Sequence, residues 1–417
     1  MNPGQDVIII GAGIVGLNCA LAAQQTGFSV TVIDPAFEGD RASHGNAGSI
    51  AVAEHTPFSV PGVQWKAIKW LMDPLGPLAL RWQHLPRALP WFMAFNAVSK
   101  PGAYRRISEA LARLNNRALE DFIPMLDTIG LRDQIHCHGA ITVYEQESNF
   151  RADTANWALK RELGVNWTAL SADEIRSLEP RLAPVFSCGV RLHDCAHVSD
   201  PKAIVDALRR HVAANGATLV AGQVRGLNIR NRNRPAALLE DGRSIDAAHI
   251  VVAAGAWSAP LARTAGDRVL LESERGYNTT LPAAGAMLQR EVIFAERKFV
   301  ATPLSVGLRI GGAAEFAGLN APPNYARSQA LLTMGRRLLP GMDETGAVQW
   351  AGHRPATPDS LPVIGRSPNN ESVLYAFGHG HLGLTQSATT GLLIADLLAK
   401  QAPRVDLAPY SIQRFSR

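Results

Sequence analysis

Residues 6–16 read Asp-Val-Ile-Ile-Ile-Gly-Ala-Gly-Ile-Val-Gly, and the fold is decided there. Asp6 to Ile10 is a short Val/Ile-rich run ended by glycine, the pattern of a parallel strand buried on both faces. Gly11-Ala12-Gly13-Ile14-Val15-Gly16 is a G-x-G-x-x-G turn opening a helix that runs to about Thr26, with Gly27 as its stop. Ser29 to Ile33 makes a second strand, closed by Asp34, 18 residues past Gly16. A strand, a glycine turn, a helix and an acid ending the next strand are the context that makes this motif a dinucleotide fingerprint. Gly11 permits the tight turn, Gly13 lets a pyrophosphate approach the backbone, and Gly16 lets helix and strand pack closely. The helix N-terminus offers unpaired N–H groups and a favourable dipole to the anion, and Asp34 is placed to accept from a ribose hydroxyl.

Outward from this unit, Arg41 to Pro61 is rich in Gly, Ser, Ala and Asn and reads as loop. From Pro61 to Lys100 several Pro and Trp residues predict short helices broken by proline. One amphipathic helix is expected over 104–129, kinked by Pro124, then a strand over 139–144 and a helix over 149–163. Ser171 and Glu174 have capping-box spacing for a short helix to 178. A helix over 200–215 precedes a strand over 219–229 and another over 250–254. Short β-like runs between 268 and 316 predict a sheet of a second domain, followed by a helix over 327–338. The last part repeats the opening device: strand 373–377, glycine turn 378–383, helix 385–399. The start of that helix can face a flavin ring and stabilise the negative charge of its reduced form. Periodicity does not separate FAD from NAD, but the chain leaves the nucleotide fold after its second strand, unlike a run of further βαβ units.

Composition bounds the rest. The chain has 417 residues, which suits two domains, and 47% hydrophobic against 18% charged residues excludes a disordered chain. There are 41 basic and 36 acidic residues, a net charge of +5, and the densest basic cluster is four arginines between Arg225 and Arg234. That is too sparse for a nucleic-acid stripe, so no nucleic-acid partner is expected. The four cysteines form no Cys-x-x-Cys pair and fit a reducing, cytoplasmic compartment. The triplet His193-x-Cys195-x-His197 would share one strand face, but zinc wants four ligands, so no metal is expected.

Six stretches together resemble the D-amino acid oxidase superfamily of FAD-dependent oxidoreductases, and within it the bacterial D-amino acid dehydrogenases. They are the 6–16 opening, Ser43-His44-Gly45-Asn46-Ala47-Gly48, the segment from Pro61 to Leu80, Val251 to Ser258 with Trp257, Gly352-His353-Arg354-Pro355-Ala356-Thr357-Pro358-Asp359, and Gly378 to Thr385. They span nearly the whole chain in family order. The wording of Glu274 to Tyr277 and of 378–385 is also similar to hydroxy-D-proline dehydrogenases. The resemblance implies that FAD is bound with Asn46, Ala47 and Gly48 near the isoalloxazine, Ser43 and His44 among the other cofactor-binding residues, Val224 against the adenine, and Ala254 and Gly255 on the phosphate side. Gly380, His381, Leu382, Gly383, Leu384 and Thr385 would cover the pyrimidine edge. It also implies that Arg354 binds the substrate carboxylate, a task its planar fork suits. Tyr277 is the second candidate for that contact, and His55 and His353 are further pocket candidates.

The fold expected is therefore α/β: a Rossmann-like FAD-binding domain (1–55, 196–268 and 348–417) interleaved with an α+β substrate domain (56–195 and 269–347). The expected reaction is oxidation of a D-amino acid or cyclic D-imino acid, with hydride leaving Cα for flavin N5 and electrons passing to a quinone or other acceptor. No side-chain base on Cα is required. An oxygen-using oxidase, an NAD enzyme and a flavoprotein subunit of a larger dehydrogenase are the rivals. A cytoplasmic location is expected, with contact at the inner membrane face left open.

Overall fold

The computed structural model describes residues 5–60, 62, 67, 70–73 and 76–416. The fingerprint unit forms as the sequence dictates: strand Asp6–Ile10, helix Ile14–Gln25, strand Ser29–Asp34. Asp6–Ile10 is the middle of a six-stranded sheet, ordered Thr218–Ala221, Ser29–Asp34, Asp6–Ile10, His249–Val252, Val373–Phe377 and Val363–Arg366. All run parallel except the last, which closes the edge antiparallel. Ile10 stands opposite Ile33 on one side and Val252 on the other. The strands are apolar at successive positions because both faces are covered. Val7, Ile9 and Val251 pack under the helices of one face, while Ile8, Ile10 and Ile250 pack with Leu227, Leu239 and Leu261 on the other.

The second body is a nine-stranded mixed sheet. Its floor runs through Val348–Ala356, Glu272–Leu281, Gly307–Phe316, Phe299–Leu304, Glu291–Phe294 and Ala140–Tyr144. Cys188–Leu192 and Trp167–Ser171 extend it, and Leu78–Leu80 joins Gly307–Phe316 from the side.

Helix Gly383–Leu398 is buried on almost every side, which explains its run of small and hydroxyl residues. Several of its polar side chains are spent on buried hydrogen bonds. Thr389 donates to Asp121 at 2.7 Å, Gln386 donates to Asn115 at 2.9 Å, and Thr390 meets His379 at 2.9 Å. It lies close against helix Ile14–Gln25, and a Cβ at Gly391 would stand 2.6 Å from the Asn18 carbonyl oxygen.

Four expectations need correction. The helix expected over 104–129 is two helices, Pro101–Asn115 and Ala118–Thr128. The break falls at Asn116, whose amide donates to the Leu163 carbonyl at 3.1 Å, and Pro124 sits inside the second helix without ending it. The helix over 149–163 divides into Glu147–Ala152 and Thr154–Glu162, parted at Asp153, which accepts the Tyr144 hydroxyl at 3.0 Å. The strand over 219–229 is two strands in different sheets, turning at Gly222. Most of 61–75 lies outside the described residues, but beyond it one helix, Leu85–Val98, carries Pro90 without breaking. The Ser171–Glu174 capping box is formed with both of its hydrogen bonds.

Gly391→Val should cost about 1–3 kcal/mol of stability by forcing the two buried helices apart. Urea unfolding followed by circular dichroism checks this; a midpoint equal to wild type would show that the helices part freely.

Candidate active site

A cavity of about 1500 Å³ runs between the two sheets. One end is the fingerprint. Gly11 has φ +109°, and a Cβ there would stand 2.5 Å from the Ala253 carbonyl oxygen, so only glycine fits. Gly13 precedes the helix in extended conformation, and Ser43 Oγ accepts the Ile14 N–H at 3.0 Å. The first-turn N–H groups have no partner within the helix, and Gly13, Ile14 and Val15 line the cavity there. Asp34 accepts from the Ala12 N–H at 2.7 Å and the Ala36 N–H at 3.0 Å.

Arg41 is a residue the sequence reading passed over. Its guanidinium donates to the carbonyls of Ala12, Ala36 and Phe37 and lies 3.6 Å from Asp34. It ties the glycine turn to the end of the second strand. The available signal was a lone arginine seven residues past Asp34, in a loop otherwise of small residues.

Arg354 stands farther along the cavity, on strand Val348–Ala356, in register with Glu274. Its Nη1 donates to Glu274 at 2.8 Å and its Nη2 to the Gly312 carbonyl at 3.2 Å. The guanidinium lies across Gly276, where a Cβ would be 2.6 Å from Cζ. Alternation puts residues 274, 276 and 278 on this face, and Asn278 donates to the Gly45 carbonyl at 2.5 Å. Arg275 and Tyr277 both reach Glu315 instead. Tyr277 lines the cavity, but its hydroxyl donates to Glu315 at 2.5 Å and accepts the Asn324 N–H at 2.9 Å. The hydroxyl is thus turned away from Arg354, the outcome of a strand alternation that the sequence motif alone does not reveal.

Trp350 roofs the 43–48 loop: its indole donates to Asp40 at 2.5 Å, and a Cβ at Gly45 would collide with its ring. Beneath the loop, the buried Arg309 donates to the carbonyls of Asn46 at 2.7 Å and His44 at 3.2 Å. The ring of His381 packs at a tilt against Phe58, centroids 4.4 Å apart, and burial lowers its pKa. His353 shares a hydrogen bond of 2.7 Å with Ser273 and packs edge-on to Trp257.

Most of the expected residues line this cavity: Gly11, Gly13, Ile14, Val15, Asp34, Ser43, Asn46, Ala47, Val224, Ala254, Gly255, Trp257, Tyr277, His353, Arg354, Gly380, His381, Gly383 and Leu384. Ala12, Gly16, His44, Gly48, Leu382, Thr385 and His55 do not, among the described residues. Gly16 is pressed against the Gly11 carbonyl, and Thr385 Oγ1 accepts the Ala51 N–H at 3.0 Å. These residues shape the walls from behind. His55 is fully buried and lies outside the lining altogether.

A family model described as FAD dependent oxidoreductase matches residues 6–397. The chain belongs to this family. It is 38% identical over its whole length, and the whole of the relative, to a D-amino-acid oxidase of Bradyrhizobium diazoefficiens. It is 28% identical to a D-amino acid dehydrogenase of Chromohalobacter salexigens, covering 98% of this chain and 99% of that one. Among solved structures, glycine oxidase from Geobacillus kaustophilus superposes with a TM-score of 0.74 at 23% identity, covering 98% of each chain. L-proline dehydrogenase from P. horikoshii gives 0.74 at 19% identity, covering 100% of this chain and 99% of that one. Both confirm the fold.

FAD is therefore the cofactor, and the cavity fits it. The glycine turn admits a pyrophosphate, the helix start supplies donors, and about 1500 Å³ exceeds the usual volume of a small-ligand pocket. When bound, FAD would supply a two-electron acceptor, and the glycine turn, the helix start and Asp34 are the groups that would hold it.

Burial keeps three histidines neutral. The pKa of His379 is lowered to about 3, and those of His55 and His197 to about 4. Unfolding exposes these rings, which then take up protons at pH values where the folded chain refuses them. Stability should therefore fall as pH drops below about 6.5 and keep falling towards pH 4. His379→Gln should flatten that slope in thermal melts between pH 7 and 5; an unchanged slope would remove His379 from the account.

Proposed function

We propose that this FAD-dependent oxidoreductase oxidises D-amino acids, cyclic imino acids of the D-proline kind among them, to the corresponding imines. The observation that carries the reading is the Arg354–Glu274 pair on the cavity wall. An α-amino acid presents the complementary pair, a carboxylate and an ammonium on one carbon. Arg354 spends two of its five N–H donors on Glu274 and Gly312, leaving three for a substrate carboxylate. Glu274 holds the fork in plane and offers an acceptor to the amine. With both groups of Cα held, the Cα–H is aimed by default, and orientation in a dry pocket supplies the catalysis. Preference for the D-enantiomer is supported by the names of the two curated relatives.

For the electron acceptor we favour a lipid-soluble quinone and a dehydrogenase. Helix Leu85–Val98 carries Trp91, Phe92 and Phe95 on the cavity wall, yet exposes Leu89 by 50% and Met93 by 67%. Trp82 just before it is 67% exposed, and cavity-lining Phe58 is 47% exposed. Apolar side chains exposed beside a pocket suit an apolar acceptor or a membrane surface. No helix among the described residues is long and apolar enough to cross a membrane. Direct use of oxygen is the second reading, supported by the oxidase name of the 38% identical relative.

An anaerobic visible spectrum should show flavin bands that bleach with D-alanine or D-proline and not with the L-enantiomers. Arg354→Ala should raise KM by about a hundredfold or more while flavin stays bound, the loss of a charge-assisted bidentate contact worth about 3 kcal/mol; unchanged kinetics would sink the carboxylate role. Reduced enzyme mixed with a short-chain quinone should reoxidise faster than with air-saturated buffer, and the reverse order would make it an oxidase.

A further inference from the structure

Between the 51–57 loop, helix Thr154–Glu162 and strand Glu291–Phe294, the cavity has a polar wall that the fingerprint and the Arg354–Glu274 pair leave unused. Three side chains from distant parts of the chain, Glu54, Lys160 and Glu291, line it. Lys160 is 5% exposed, its Nζ lies 3.6 Å from Glu54 Oε1, and it sits 5.0 Å from the centre of the Trp157 ring. The attraction of Lys160 holds Glu54 below its ordinary pKa. Glu291 is 4% exposed; one oxygen accepts the Ser49 hydroxyl at 2.6 Å and the other has no hydrogen bond among the described residues. Burial, with the nearby charge of Glu54, pushes Glu291 up to about 7.

Glu54, Lys160 and Glu291 line the same cavity as Arg354, Glu274 and His381. A molecule gripped at Arg354 has this wall within the same cavity.

We infer that Lys160, Glu54 and Glu291 form a subsite for the substrate side chain and select side chains that are uncharged yet both donate and accept hydrogen bonds, a hydroxyl or a carboxamide. The inference rests on the D-amino acid reading above. The ammonium of Lys160 has no hydrogen bond of ordinary length in the described structure, and Glu291 keeps one oxygen free, which accepts when the carboxyl is ionised and donates when it is protonated. An apolar side chain would cover them without pairing them, leaving buried polar groups unsatisfied. Below pH 7 the cluster is one cation, one anion and one neutral carboxyl. A charged side chain would leave that balance broken in a water-poor space, which is the costlier error. A hydroxyl or carboxamide satisfies both ends without adding charge. Pockets built to hydrogen-bond a group discriminate strongly against the analogue lacking it.

Near-isosteric pairs test this in the flavin-loaded protein at pH 6.5. Anaerobic flavin reduction is followed with D-serine against D-2-aminobutyrate, and with D-asparagine against D-leucine and D-aspartate. The expected result is kcat/KM at least about tenfold higher for D-serine than for D-2-aminobutyrate, and for D-asparagine than for either partner. Lys160→Met and Glu291→Met should pull both ratios towards one; flavin content shows that each variant is folded. Equal or faster reduction by D-2-aminobutyrate and D-leucine overturns the subsite while leaving D-amino acid oxidation intact. Preference for D-aspartate overturns the claim of neutrality and with it the proposal. Variants that slow every substrate by one factor, ratios unchanged, make the three residues structural. If no D-compound bleaches the flavin, the parent reading fails and takes the subsite with it.

Discussion

At Gly11 the chain turns out of the central strand and passes the Ala253 carbonyl with no room for a side chain. Gly16 then abuts the Gly11 carbonyl, so the helix begins hard against the sheet. That contact fixes where the first-turn N–H groups stand and which way they aim. Ser43, Asp34 and Arg41 then close around the turn, each bonded to backbone within it or beside it. The cofactor end is thus determined by backbone geometry, with side chains acting as ties.

The proposed substrate end is determined by charge. Arg354, Glu274 and Gly276 are one device: cross-strand register brings the acid to the guanidinium, and the missing side chain at Gly276 lets the fork lie flat. On the opposite face of the same strands, Glu315 collects Arg81, Arg275 and Tyr277. The alternation of one strand therefore separates a cavity-facing charge pair from a buried structural one.

How much of this was legible in the sequence follows from the range of the interactions. The βαβ unit, the Ser171 capping box and the final strand–turn–helix depend on neighbours within about thirty residues, and their signals are local. Arg354 was marked by a short motif and does line the cavity. Tyr277 sat beside a motif, but its hydroxyl direction depends on a partner 38 residues away. The breaks at Asn116 and Asp153 come from side-chain bonds to other elements, not from the helix breakers that sequence reading weighs. Glu54, Lys160 and Glu291 carry no motif; only the folded chain assembles them.

The order of strands in the parallel sheet has a consequence for synthesis. Asp6–Ile10 is made some 240 residues before its neighbour His249–Val252, and Val373–Phe377 comes later still. Until then a flat Val/Ile-rich strand edge stands unpaired, a template for pairing with other nascent chains. Sheet closure is a long-range event that must wait for the later strands to be made. A cell making this protein quickly would depend on chaperones to shield that edge.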